Sequence, residues 1–177
     1  MQRTIVRLGH PALRLQAEPV PPESLETEEI QALIAELIET VNSRSGNGLA
    51  ATQVGESQQI LVLAIPGDGD EPSGSEVVII NPLLEPEHAD LVYDWESCLS
   101  VPGLRGLVPR YPKVRLRGLS ARGEPMDLTL NGRQARWVQH AYDHLNGVVF
   151  LDRMRDLRSL AFDEEWGLYL SDPSDGS

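Results

Sequence analysis

Cysteine is almost missing from this chain; Cys98 is the only one. An internal disulfide is therefore excluded, and the thiol is a small buried hydrophobe, a reactive group or a metal ligand. A reducing, cytoplasmic setting is the expectation that follows. Lysine is as scarce, with Lys113 alone, so nearly all the positive charge is arginine. No Lys/Arg-rich block appears in the sequence, and the formal net charge is -12. Nucleic-acid binding, which depends on clustered phosphate contacts, has no source here. The acidity reads as a solvated surface. Long apolar runs are missing too. Nothing approaches the roughly 20 residues of a membrane span, and Met1 to Arg7 has neither the apolar core nor the cleavage site of a signal peptide.

What is present suits a globular protein. The 177 residues are 41% hydrophobic and 24% charged, enough for one domain with a core. We expect a single domain over residues 1–170 and a polar tail over 171–177. Pro11, Pro19, Pro21 and Pro22 keep the first 24 residues irregular. Ile30, Leu33, Ile34, Leu37, Ile38 and Val41 then recur at helical spacing, with Thr27 or Ser24 as cap. Apolar or alternating stretches predict strands at 60–65, 77–80, 91–95, 113–119 and 126–130, the second stopped by Asn81-Pro82. A turn-rich acidic loop is expected at 67–74. A helix starts near Arg133 and ends at Gly147, followed by a short strand at 148–151 and a C-terminal helix at 157–170. Short strands with hairpin signals, not strands alternating with helices, indicate an α+β fold with antiparallel sheet.

The chemistry centres on Gln139-His140-Ala141-Tyr142-Asp143-His144. Histidines four apart on a helix project from one face, roughly 6 Å apart along its axis, which suits two ligands of a tetrahedral metal. The metallohydrolase pattern H-E-x-x-H places a glutamate after the first histidine, where this chain has Ala141. Cys98, at a strand end in Glu96-Ser97-Cys98-Leu99-Ser100, offers a third ligand. Two imidazoles and one thiolate leave the fourth position to water, the arrangement of a catalytic site. The glycine-rich stretch from Gly46 to Gly55 is either a tight turn or a loop whose backbone approaches a ligand, with Gln53 as donor.

Three segments together resemble the peptide deformylase family. Gly46-Asn47-Gly48-Leu49-Ala50-Ala51-Thr52-Gln53 is similar to its first motif, G-x-G-φ-A-A-x-Q, where φ is apolar. Glu96 to Ser100 is similar to the second, E-G-C-L-S, with Ser97 for glycine. Gln139 to His144 is similar to the third, Q-H-E-x-D-H, with Ala141 for glutamate. They occur in the family's order, and the likeness runs from about residue 4 to residue 155. It implies antiparallel strands around a central metal helix. It implies one metal on Cys98, His140 and His144: Fe(II) natively, with Zn(II) or Ni(II) as alternatives. The implied reaction is removal of the N-formyl group from the initiator methionine of nascent polypeptides. Gln53 and the Leu99 backbone N–H would bind the developing oxyanion. Glu96, Arg110 and Asp143 would form an ion-pair network behind the metal helix. Gly46, Gly48, Leu49, Ser97 and Trp137 would border the substrate. The implied partners are formyl-Met peptides or nascent chains at the ribosome, and a monomer is expected.

Ala141 can neither take nor deliver a proton. Losing a general acid/base costs about 10²–10⁴-fold in rate, so binding should outlast efficient turnover. Trp137 either narrows the pocket for the methionine side chain or fills core, with core preferred. Other readings stay open: an inactive relative that captures formylated N-termini, or a metalloamidase for another N-formyl metabolite. A structural zinc protein would require a fourth protein ligand, and none is visible.

Overall fold

The computed structural model describes residues 2–44, 46–65 and 75–171. The predicted loop at 67–74 lies outside these residues, as does nearly all of the tail. The first helix, α1 (Glu28–Ser43), is capped by the Thr27 hydroxyl, which accepts from the Ile30 N–H at 3.4 Å. Glu28 and Glu29 sit favourably in its first turn, and Ile30, Leu33, Ile34, Leu37 and Val41 form its buried face. Strand β1 (Gly48–Ala50) runs into a 3-10 turn over Ala51–Val54. Gly55 ends that turn at φ 89°, a left-handed conformation that favours glycine.

Strands β2 (Ile60–Ile65), β3 (Ser75–Pro86), β6 (Lys113–Leu119) and β7 (Pro125–Asn131) join β1 in an antiparallel sheet of order β1-β2-β3-β6-β7. Between β3 and β6 in sequence come β4 (Val92–Cys98) and β5 (Val101–Arg110), a hairpin that with β8 (Ala161–Phe162) forms a second sheet of order β4-β5-β8. Helix α2 (Gly132–Leu145) follows β7, and the chain ends in α3 (Phe150–Arg153), β8 (Ala161–Phe162) and α4 (Asp163–Tyr169).

The apolar run of β2 is explained by burial on both faces. Ile60 and Val62 pack with Leu33, Leu37 and Val41 of α1. Leu61 and Leu63 pack with Ala135, Val138, Ala141 and Leu145 of α2. The larger sheet is thus sandwiched between α1 and the histidine helix. A smaller cluster of Cys98, Val101, Val108 and Phe150 ties the β4-β5 hairpin to α3. No helix among the described residues is long and apolar enough to cross a membrane.

Antiparallel sheet, α1 and the histidine helix stand as expected, and four boundaries differ. Strand β3 does not stop at Asn81-Pro82. Asn81 takes φ 51°, the register shifts between Ile80 and Leu83, and pairing resumes to Pro86. The Asn81 side chain secures this bulge by accepting from the Val20 N–H (2.8 Å) and donating to the Val20 carbonyl (2.9 Å). Strand β5 (Val101–Arg110) lies where the sequence predicts no strand. The expected strand at 148–151 is instead irregular at Val148 and Val149 and enters α3 at Phe150, and the Asp152 carboxylate accepts from the Val149 N–H at 2.8 Å. The expected helix at 157–170 is broken, because Ala161 and Phe162 pair with Arg105 and Leu104 on the edge of β5 before α4 begins.

Candidate metal centre and active-site cleft

Helix α2 carries both histidines on the side that faces the β4-β5 hairpin. His144 is fully buried and His140 half-buried. Cys98 closes β4 at an irregularity in the hairpin register, which turns its thiol toward α2. The Cys98 Sγ lies 3.3 Å from His144 Nε2, the imidazole centroids are 5.1 Å apart, and one ligand atom from each of the three residues falls within a 4.8 Å spread. A tetrahedral zinc with ordinary bond lengths would separate sulfur and nitrogen by about 3.6 Å. The donor set fits a divalent transition metal in both chemistry and spacing. The Thr52 hydroxyl donates to the His144 carbonyl at 3.0 Å, tying the glycine-rich loop to the helix.

Behind the cluster lies a charge network built from four separate segments. The Arg110 guanidinium donates to both carboxylate oxygens of Glu96 (2.8 and 2.9 Å) and to Asp143 (2.5 Å), and is 5% exposed. Glu96 also lies 2.9 Å from His140 Nδ1, which leaves Nε2 as the nitrogen for a metal. Arg136 donates to Glu96 and Arg153 to Asp143, at 2.8 and 2.6 Å. Burial alone would raise the Glu96 carboxyl; hydrogen bonds from Arg110 and His140 overcome it and hold the group well below the usual carboxylate range. Burial would likewise raise the Cys98 thiol, but His140 and His144 bring it down to about 5. His140, despite its burial, is raised to about 10 by Cys98 and Glu96. The metal-free chain therefore holds its sulfur as the thiolate a metal requires.

Gln53 is 2% exposed beside this cluster. Its Oε1 accepts from the Ala50 N–H at 3.0 Å, which fixes the amide and turns Nε2 toward Ser100 Oγ (3.3 Å) and Cys98 Sγ (3.8 Å). A cleft of about 1090 Å³ opens over these groups. Gly46, Gly48, Ser97, Leu99 and Ala141 all border it. Leu49 does not; it is fully buried in the core with α1 and β2, because alternation along β1 turns it away from the cleft. Trp137 is half-buried on the cleft wall, so it borders the cavity and is not core filler.

Sequence reasoning missed Arg136 and Arg153. Arg136 carried a usable signal, since it stands one helical turn before His140 and shares its face. Arg153 carried none. Trp95 and Trp166, edge-to-face at 6.1 Å on the cleft, were also unforeseen.

The Polypeptide deformylase family model matches residues 2–159. The chain belongs to that family. Peptide deformylase 1 of Nitrosomonas europaea is 39% identical over 165 residues, 92% of this chain and 93% of that protein. Two solved structures share the fold at TM-scores of 0.79 and 0.78, with 33% and 34% identity. The first is a class I type b peptide deformylase from Acinetobacter baumannii with Met-Ala-Ser bound, covering 87% of this chain and 99% of its own. The second is the peptide deformylase of Thermotoga maritima, covering 88% and 99%. Deformylases are metal-dependent hydrolases, and this chain has the α+β fold of the family. At the position where the motif resemblance implies a glutamate, this chain presents Ala141, 2% exposed and lining the cleft. The cleft carboxylates that remain are engaged or exposed. Glu96 is bound by Arg110 and Arg136, Asp163 accepts from Arg105 at 2.9 Å, and Asp94 is an exposed rim residue.

Proposed function

We propose that this chain binds N-formyl-Met peptides or nascent chains in the cleft over Cys98, His140 and His144, and removes the formyl group slowly for want of a carboxylate at position 141. One observation carries the reading: the Cys98 sulfur and two imidazoles converge beside the fixed Gln53 amide on the floor of a peptide-sized cleft. Cys98, His140 and His144 hold one divalent metal, Fe(II) in the cell, with Zn(II) or Ni(II) as competent replacements. When bound, such an ion supplies Lewis acidity, bringing the pKa of water toward neutrality and polarising a carbonyl. Gln53 Nε2 and the Leu99 N–H donate to the formyl oxygen as it gains charge, and each such donor is worth about 3–4 kcal/mol. Glu96 orients His140 through Nδ1, and Arg110 and Asp143 keep Glu96 in place. Ser97 borders the bound backbone, and Trp137 narrows the space for the first side chain. The work is done by a monomer in the cytoplasm, on chains leaving the ribosome.

Ala141 supports a second reading, capture of formylated N-termini without release of formate. Both are tested by loading the chain with Ni(II), measuring bound metal, and following formyl-Met-Ala-Ser at protein concentrations above the substrate. Formate release that disappears in Cys98→Ala supports slow hydrolysis. Binding without formate supports capture. Loaded protein that neither binds nor cleaves the peptide overturns both.

A further inference from the structure

The chain as a whole is acidic, with 27 Asp and Glu against 15 Lys and Arg, yet its cleft is not. Three arginines border the cavity without an ion pair or a side-chain hydrogen bond among the described residues: Arg7, Arg44 and Arg133. All three are exposed. Arg7 precedes Leu8, whose N–H donates to the Ser100 carbonyl at 2.8 Å, so it stands beside the Cys98 loop. Arg44 ends α1, two residues before Gly46. Arg133 lies in the first turn of α2, at the far end of the cleft from Ala141. The acids on the same walls do not offset them. Glu96 is neutralised by Arg110 and Arg136, and Asp163 by Arg105. Only Asp94 remains, and Arg136 Nε is 3.8 Å from it.

Positive charge gathered on the rim of a cleft focuses the field there, on a chain whose net charge is -12. Free guanidiniums present planar forks that match a carboxylate. We propose that the cleft selects N-formyl substrates carrying a carboxylate beyond the formylated residue, either an acidic side chain or the terminal carboxylate of a short peptide. The inference rests on the formyl-peptide reading above and specifies its substrate class.

All three tryptophans border the cleft, so quenching of their fluorescence reports binding directly. The Ni(II)-loaded full chain is titrated with formyl-Met-Asp-Asp-Ser amide, formyl-Met-Asn-Asn-Ser amide, and the free-acid form of the latter. At low ionic strength the Asp amide should bind about tenfold tighter than the Asn amide, as two or three rim contacts would give. The ratio should shrink as salt shortens the Debye length below about 5 Å. It should fall to within about twofold in Arg44→Ala/Arg133→Ala and return in Arg44→Lys/Arg133→Lys. A free-acid Asn peptide that matches the Asp amide identifies the terminal carboxylate as the group read; one that matches the Asn amide identifies the side chains. Equal affinity for the two amides, or a preference that survives the double alanine substitution, overturns the charge inference alone. Failure of every peptide to bind overturns the deformylase reading of the cleft and this inference with it.

Discussion

Placing a carboxylate at position 141 should raise deformylation by about 10²–10⁴-fold, or about 3–5.5 kcal/mol of barrier. The structure bears on whether Ala141→Glu can be accommodated. Ala141 packs in the cluster between the larger sheet and α2, yet it also borders the cleft. A Cβ built on Gly48 would lie 3.8 Å from the Ala141 Cβ, so β1 and α2 pass close here. The new side chain has room only along the cleft floor, beside His140. Glutamate costs a few tenths of a kcal/mol in helix propensity relative to alanine. A carboxylate left without a partner costs a further 1–3 kcal/mol or so of stability. For a chain of this length that lowers Tm by about 2–12 °C. Folding at room temperature survives this within an ordinary margin of about 5–15 kcal/mol.

The assay is formate release from the uncharged formyl-Met-Ala-Ser amide under excess substrate, with metal content and peptide affinity measured on the same preparation. Ala141→Gln is the control, since it matches glutamate in shape and carries no base. The gain should appear in kcat with peptide affinity nearly unchanged, because the added group acts on proton transfer. The reasoning fails if Ala141→Glu holds metal and binds peptide but is no faster. It fails equally if Ala141→Gln accelerates as much.

Arg110→Met removes the bonds to Glu96 and Asp143 and should cost about 3–5 kcal/mol, a fall in Tm of about 6–20 °C by calorimetry; a change under about 2 °C would mean that Arg136 and Arg153 carry the network without it. Gly147→Ala should cost about 1–3 kcal/mol by chemical denaturation, since the residue sits at φ 70° and a Cβ there would meet the Arg14 carbonyl oxygen at 2.7 Å. Stripping the metal with a chelator should lower Tm in proportion to saturation, about 4 kcal/mol at a thousandfold excess over Kd, and Cys98→Ser should abolish that difference. In the metal-free chain Cys98 should show thiolate ultraviolet absorbance down to about pH 5. An acid so depressed stabilises the fold above its unfolded value near 8.5. That contribution fades as pH falls through about 5. His140→Ala should move the thiolate transition upward, and an unmoved transition would exclude His140 as its cause.

The parts of the site legible in sequence are those whose geometry is local. His140 and His144 are one turn apart on one helix, and Gln53 is fixed by an amide three residues back, so periodicity and motif spacing reach them. Arg136 is half-legible, because its helix position is readable while its partner Glu96 lies forty residues upstream. Arg153 meets Asp143 only after the chain turns at Gly147 and α3, and no pattern in ten residues announces that return. The same limit hides the continuation of β3, since the Asn81 side chain that makes the bulge tolerable finds its partners at Val20. It also hides the break before α4. The apolar spacing of 157–170 is compatible with a helix, and the exposed edge of β5, which recruits Ala161 and Phe162 as a strand, cannot be seen from within that segment.

The arrangement of charge also explains why a chain lacking this carboxylate can keep the rest of the site. Had the group at position 141 been one leg of the buried network, its absence would leave a cation behind without a partner. Each member found there is paired: Glu96 with Arg110 and Arg136, Asp143 with Arg110 and Arg153, and His140 with Glu96. His144 Nδ1 is the one buried polar atom of the cluster without a hydrogen-bond partner among the described residues, and it belongs to an imidazole whose Nε2 faces the thiol. Position 141 is thus electrostatically separate from the ion-pair network behind Cys98, His140 and His144. Alanine there adds no negative charge to a cleft whose free groups are cationic. Relative to Ala141→Glu, affinity for an anionic substrate should be higher and the chemical step slower.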